Sequence, residues 1–329
     1  MKAVYIKEFG GPENLQIREV PDPPEPAGGE VIVRVRAAGL NRADLLQRRG
    51  HYPPPTGYSA NIPGLEFAGE IAQLGDAITD HKVGDRVFGI TAGEAQAEYL
   101  KIDHRLLARI PNNLSFAEAA AVPEAFITAH DAVFTQGRLN DGETLLVHAV
   151  GSGVGLAALQ LCEVLGHRVI GTSRTGKKLE QCREFGLDEG IVVGSEPNFS
   201  EEVLGKTAGN GVEIILDLVG AAYFEQNLRS LARKGRLLLV GLTSGSTAEF
   251  NLGLALSKRL TLIGTVLRGR SVEEKAEATV SFSTNVIPHL ASGLIRPNLD
   301  HVFGLKDVSA AHEYLESNES FGKVVLEFS

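Results

Sequence analysis

Cysteine is scarce in this sequence: Cys162 and Cys182 are the only two in 329 residues, and both lie in segments that read as helices. A disulfide framework and a multi-cysteine metal centre are thereby excluded, and reduced, buried thiols are expected. Long apolar runs are also missing. No stretch approaches the roughly 18 uncharged apolar residues of a membrane span, and Met1 to Phe9 alternates charged and apolar residues where a secretory signal has an unbroken apolar block. The expectation is a cytoplasmic protein with no membrane partner. Positive charge is in deficit, with 32 Lys and Arg against 41 Asp and Glu and a formal net charge of -9. An electrostatic grip on a nucleic-acid backbone is therefore not expected.

What is present suits an α/β enzyme. With 43% hydrophobic residues the chain can bury a sizeable core in two domains. The 37 glycines lie scattered at the ends of apolar runs, which marks tight turns between short elements. Lys2 to Ile6, Leu15 to Val20 and Glu30 to Ala38 alternate with the period of half-buried strands, and more short strands follow at Phe67 to Leu74, Arg86 to Ile90 and Ala97 to Ile102. From Ser115 the texture turns helical, with Glu118 placed to complete a capping box. The middle of the chain then alternates strand and helix: TLLVHA, GVGLAALQLCEVLG, RVIGTS, GKKLEQCREFG, GIVVG, EIILDLVG and RLLLVGL. That alternation implies right-handed crossovers and a parallel sheet covered on both faces. Leu260 to Leu267 reads as a further strand, Ser271 to Ser292 as one amphipathic helix, and the closing GKVVLEF as a strand able to rejoin the opening β domain.

The most informative segment is HAVGSGVGLAALQL, which directly follows a strand and opens a helix. Gly151, Gly153 and Gly155 remove side chains where backbone must approach a pyrophosphate, with Ser152 and Val154 between them. The helix N-terminus behind them offers free N–H groups and partial positive charge. The match to G-x-G-x-x-G is imperfect, because Val150 and Ser152 occupy two of its glycine positions. The context of a preceding strand and several following βα units makes dinucleotide binding the reading, against a turn that serves packing alone. The next strand ends in Ser173 and Arg174, followed by Lys177, with no acid before Glu180. A carboxylate there would bind the ribose 2′-OH of NADH and repel a 2′-phosphate. Ser173, Arg174 and Lys177 can instead bind that phosphate, so NADPH is the expected cofactor.

Seven motifs in order resemble the medium-chain dehydrogenase/reductase superfamily, in its zeta-crystallin-like quinone oxidoreductase branch. They are GGPENL (Gly10 to Leu15), GLNRADLLQRRGHYPPP (Gly39 to Pro55), PGLEFAGEI (Pro63 to Ile71), VGDRVFG (Val83 to Gly89), EAAAVPEAFITAHDAV (Glu118 to Val133), VHAVGSGVG (Val147 to Gly155) and GKVVLEF (Gly322 to Phe328). The resemblance implies a GroES-like β-rich catalytic domain of residues 1–122 and 298–329 and a Rossmann NADPH-binding domain of residues 123–297, with the active site in the cleft. It implies that Asn41 and Tyr52 line the nicotinamide and substrate side and that Thr128 lies beside the cofactor. Gly220, Gly241, Leu242, Leu267 and Arg268 are implied in loops that hold the cofactor's two ends. It further implies a homodimer paired through the strand at Leu260 to Leu267, or a tetramer built from it.

Departures from the family pattern bear on the chemistry. Zinc-dependent relatives carry a Cys near the position of Asn41 and a Gly-His-Glu motif where this chain has Gly64, Leu65 and Glu66, and their four-cysteine lobe is absent. Lewis-acid activation of an alcohol is therefore not expected. Other members of the branch have a second Tyr where Leu46 stands. The expected reaction is metal-free hydride transfer from NADPH to a quinone, with Asn41 and Tyr52 as hydrogen-bond donors to the developing oxyanion. An enone or enoyl thioester is the alternative acceptor, and a structural or RNA-binding role is the alternative of another class. For Asn41 the competing reading is an amide that holds its loop, and for Tyr52 a ring packed on Pro53 to Pro55. Glu66 reads as an acceptor behind the site or a remnant of a lost metal site, His51 as exposed, and His148 as a satisfied strand residue.

Overall fold

The computed structural model describes residues 1–328. They form two compact units, 1–127 with 267–328, and Thr128–Val266. The expected limits at 122/123 and 297/298 differ from these, because the segment after residue 266 packs with the first unit. Its buried Phe282 lies against Phe88, with ring centroids 5.9 Å apart, and the Asn113 amide donates to the Leu290 carbonyl at 2.9 Å. The single helix expected over Ser271 to Ser292 is two, Val272–Asn285 and Ile287–Ser292. Pro288 has no N–H to continue the ladder and its ring would meet the carbonyl one turn earlier, so the helix restarts with proline in its first turn.

In the first unit, a sheet runs in the order Leu299–Gly304, Lys323–Glu327, Glu30–Leu40, Glu66–Leu74, Arg86–Ile90 and Leu107–Arg109, with Tyr99–Asp103 also paired to Glu30–Leu40. The closing GKVVLEF strand does return to this sheet, antiparallel to Glu30–Leu40 with Val324 opposite Leu40. That register sets Lys323 beside Asn41. Apolar side chains from the sheet, including Val33, Val35, Phe67, Ile71 and Leu326, meet Val308, Ala311 and Leu315 of the helix Val308–Ser317 in the core.

The second unit is a six-stranded parallel sheet in the order Glu189–Val192, Arg168–Ser173, Thr144–Val147, Val212–Asp217, Leu231–Leu239, Thr261–Gly264. In chain order this is 3-2-1-4-5-6, the doubly wound arrangement, with its reversal between Thr144–Val147 and Val212–Asp217. The sheet centre is fully buried, which is why strands such as TLLV and EIILD read as continuous apolar runs instead of alternating ones. Cys162 and Cys182 are both free and buried, and loss of hydration pushes each thiol up to about 12. No helix among the described residues is long and apolar enough to cross a membrane.

Candidate active site

Ligands of doubly wound sheets bind beyond the carboxyl ends of the strands at the reversal of strand order, and here that point carries the glycine segment. The chain leaves Thr144–Val147 pinned on both sides, His148 N–H to Leu216 O at 3.1 Å and Val150 N–H to Thr172 O at 3.0 Å. Ala149 adopts a φ of 49°, a left-handed conformation that a residue with a Cβ takes only under constraint. Ser152 then caps the helix Gly153–Leu165, its hydroxyl accepting from Gly155 N–H at 3.2 Å. Serine at a position where the fingerprint has glycine is thus a helix cap. The Gly153 and Val154 N–H groups lie in the first turn and have no acceptor within the helix, a position from which N–H groups can meet an anion. Gly155 is required sterically: a Cβ there would overlap the Val150 carbonyl oxygen.

Neighbouring loops interlock by the same means. Gly220 has a φ of 91°, and its missing Cβ would lie 2.9 Å from Gly245 O and 3.0 Å from Leu242 Cα. Gly241 stands equally close to the Leu218 carbonyl. Behind this end of the sheet runs a buried polar chain that the sequence reading did not assemble. Thr172 Oγ1 meets His148 Nδ1 at 2.8 Å, His148 Nε2 meets Asn227 Oδ1 at 2.6 Å, and Asn227 Nδ2 donates to Asp217 Oδ2 at 3.0 Å. The other Asp217 oxygen accepts from the N–H groups of Val219 and Gly220 at 2.8 and 2.9 Å. Since the Asn227 amide donates to Asp217, its carbonyl faces His148, which fixes a neutral ring protonated at Nε2. Burial lowers the His148 pKa in agreement. His148 is the satisfied residue expected, and its network shapes the Gly220 loop. Of the 2′-phosphate candidates, Arg174 and Lys177 are exposed beyond the second strand, while Ser173 is buried with its hydroxyl accepting from Thr175 N–H at 3.4 Å.

The first unit holds a cluster of ionisable groups around Asn41. Glu66 is wholly buried, and its Oε1 lies 2.5 Å from Lys323 Nζ and 2.9 Å from Asn41 Nδ2. Lys323 also donates to Asn41 Oδ1 at 2.7 Å and to Leu40 O at 2.9 Å, and Glu66 Oε2 accepts from Glu124 N–H at 2.8 Å. A Cβ on Gly39 would overlap the Glu66 carboxylate, so glycine admits it between the strands. Asp44 accepts from the N–H groups of Asn41 and Gly64 at 2.8 and 2.9 Å, and its burial raises its pKa to about 6. Asn41 therefore holds its loop, as the competing reading had it, and one of its two amide hydrogens remains for a ligand.

Tyr52 is half-buried, and the Arg268 guanidinium lies over its ring, 4.7 Å from the centroid. Arg268, expected against the cofactor, directs its nitrogens to the carbonyls of Ala92 and Tyr52 and to Gln47 Oε1 at 2.8, 2.9 and 2.5 Å. It builds the Tyr52 loop. Leu267 is buried and belongs with Arg268 to the first unit, Thr128 is half-buried at the start of the second, Leu242 is exposed, and His51 is exposed as expected. Burial raises the Tyr52 pKa and keeps the phenol protonated, opposed by the charge of Arg268.

Glu124, half-buried, has its pKa raised to about 8 by desolvation and then by the Glu66 charge, with Lys323 opposing. Partial solvent access tempers this shift but leaves its direction. The folded state thus holds a proton that the unfolded chain releases near 4.5. Stability contributed by that proton is complete below the unfolded value and declines as pH rises towards 8. Glu124→Gln is expected to flatten the fall of Tm over this window, a comparison read from melting curves of both proteins; parallel curves would refute a protonated Glu124.

Zinc does not fit this cluster. Leu65 is apolar and buried, and the Glu66 carboxylate already faces the ammonium of Lys323, a fixed cation in the place where a metal ion would be attracted.

Known families match the chain in two parts. A family model described as alcohol dehydrogenase GroES-like domain matches residues 27–131, and one described as zinc-binding dehydrogenase matches residues 153–282. A quinone oxidoreductase of Pseudomonas aeruginosa is 34% identical over 326 residues, covering 99% of both chains. The crystal structure of Escherichia coli quinone oxidoreductase complexed with NADPH superposes with a TM-score of 0.89 at 30% identity, covering 99% of this chain and 100% of that one. The CurK enoyl reductase structure gives a TM-score of 0.87 at 25% identity, covering 100% and 99%.

Proposed function

Because the chain belongs to the medium-chain dehydrogenase/reductase superfamily, in its quinone oxidoreductase branch, we propose that it is an NADPH-dependent quinone reductase that works without a metal. The observation that carries this reading is the charge at the two ends of the machinery. Arg174 and Lys177 follow the second strand where an NADH site has a carboxylate, and Lys323 neutralises Glu66 where a metal site has a cation. The Gly151–Gly155 turn, the Gly220 loop and the Gly241–Leu242 loop provide the cradle for the dinucleotide, with Thr128 beside it.

When bound, NADPH supplies the hydride. The residues of the chain act on the acceptor, whose carbonyl oxygen gains negative charge as its ring or double bond is reduced. Asn41, held by Glu66 and Lys323, offers its second amide hydrogen, and Tyr52, kept protonated by burial, offers its hydroxyl. Both act as hydrogen-bond donors to that oxygen; the final proton comes from water or Tyr52. Electron-poor quinones need only this modest stabilisation, which suits a site without a Lewis acid.

Turnover of NADPH with a panel of ortho- and para-quinones, enones and enoyl thioesters tests the acceptor. Quinones are expected to react fastest, and Asn41→Leu to lower kcat/KM by about 10²-fold, the cost of one oxyanion donor. Exclusive turnover of enoyl thioesters would replace the quinone with that class, in line with the enoyl reductase likeness. No turnover despite tight NADPH binding would point to a binding role. The second unit ends in the edge strand Thr261–Gly264, preceded in the chain by the helix Leu252–Lys258, whose Leu252 and Leu256 are 71% and 80% accessible. An unpaired edge with apolar neighbours fits a homodimer, and sedimentation equilibrium is expected to give twice the chain mass; a monomer at all concentrations would exclude it.

A further inference from the structure

Asp80, His81 and His104 offer three ligand atoms that all lie within 4.8 Å of one another, on a face of the first unit that shares no residue with the Asn41 cluster. Asp80 and His81 sit in the loop between the strands Glu66–Leu74 and Arg86–Ile90. His104 opens the single turn His104–Leu106 after the strand Tyr99–Asp103. His81 Nε2 is 3.9 Å from Asp80 Oδ2, and His104 Nδ1 is 3.4 Å from Asp80 Oδ1. Bond lengths of about 2.0–2.2 Å to zinc give a tetrahedral ligand-to-ligand edge of about 3.4 Å. The observed separations are those of a site that closes by small side-chain rotations.

Two further features separate this group from an ordinary surface cluster. The His81 side chain is only 8% accessible, and the buried Nδ1 atoms of both His81 and His104 have no hydrogen-bond partner. Buried imidazole nitrogens are normally satisfied; here His104 Nδ1 faces Asp80, and His81 faces Asp80 through Nε2 and Asp85 through Nδ1. The scaffold is also fixed. Arg109 donates to the Asp80 carbonyl at 2.7 Å, His104 N–H donates to Gly29 O at 2.9 Å, and Asp85 is held by Arg109 at 3.1 Å and by Lys82 N–H at 3.2 Å. Asp85 Oδ2 stands 3.7 Å from His81 Nδ1. It is placed to accept that proton once Nε2 is engaged, the carboxylate–histidine arrangement that orients metal-bound imidazoles.

We propose that Asp80, His81 and His104 form a binding site for a divalent late transition ion of the zinc class, which clips the 75–85 loop to the turn at His104. Two imidazoles and one carboxylate favour zinc, cobalt or nickel over magnesium or calcium, which prefer all-oxygen sites. Water completes the coordination. The ion is bound by the folded chain alone, since residues 80 and 104 are brought together only by the sheet, so it stabilises the first unit by mass action.

The test is calorimetric titration of the full chain, stripped of metal, with zinc chloride, cobalt chloride and magnesium chloride. One equivalent of zinc is expected to bind, cobalt to give the visible absorption of a low-symmetry site, and magnesium to show no binding. Saturating zinc is expected to raise Tm by several degrees. His104→Gln and Asp80→Asn should each weaken zinc by at least tenfold, while His301→Gln, an exposed histidine elsewhere, should leave it unchanged. Asp80 is exposed, so its variant tests the site even if a histidine variant folds poorly. No saturable zinc binding, or equal affinity in the Asp80→Asn and wild-type chains, would overturn the proposal.

Discussion

Lys323→Met is expected to lower the free energy of unfolding by about 3–5 kcal/mol, the cost of leaving a buried charge without its partner. Glu66 is completely buried, and among the described residues Lys323 is the cation paired with it. The substitution also strips the donor from Asn41 Oδ1 and Leu40 O. The double variant Lys323→Met with Glu66→Gln should recover a large part of the loss, because an amide tolerates the site that an unpaired carboxylate does not. Urea denaturation of the two single variants and the double variant closes the cycle. A single-variant loss below about 1 kcal/mol, the size of an exposed pair, would show that the pair does not organise this site.

The second large effect concerns cofactor choice. Arg174→Ala with Lys177→Ala should raise KM for NADPH by roughly ten- to 150-fold, from the loss of charge-assisted bonding of about 1.5–3 kcal/mol. KM for NADH should stay within about twofold, since NADH carries no 2′-phosphate to lose. The comparison of both cofactors separates recognition from general damage to the fold. Equal loss for the two would mean that Arg174 and Lys177 support structure instead of reading the phosphate.

Much of this was legible because the signals are local. The alternation of buried strands and helices from Thr144 onward follows from covering a parallel sheet on both faces, and the glycine turn depends on residues adjacent in the chain. The return of the last strand was readable from GKVVLEF. What escaped reading depends on register. Lys323 looks like one polar residue at the start of an apolar strand, and only the pairing of Val324 with Leu40 reveals that it faces Asn41 and Glu66. Asp217, Asn227 and Thr172 lie on three different elements and His148 in the turn after a fourth, and no spacing announces their chain of hydrogen bonds. Arg268 was assigned by its loop to the cofactor, yet its guanidinium serves Gln47, Tyr52 and Ala92. The break at Val286 had a visible cause in Pro288, which the apolar periodicity around it obscured.

Hydride transfer from NADPH to a quinone without a metal is the proposed reaction. Its most direct test is single-turnover oxidation of NADPH by a reactive quinone, with protein dialysed against a strong chelator and protein left untreated. The expected result is the same rate constant in both, a slower reaction with NADPH deuterated at the transferred position, and poorer use of NADH. Loss of the reaction on chelation, restored by zinc also in the Asp80→Asn variant, would contradict the central claim.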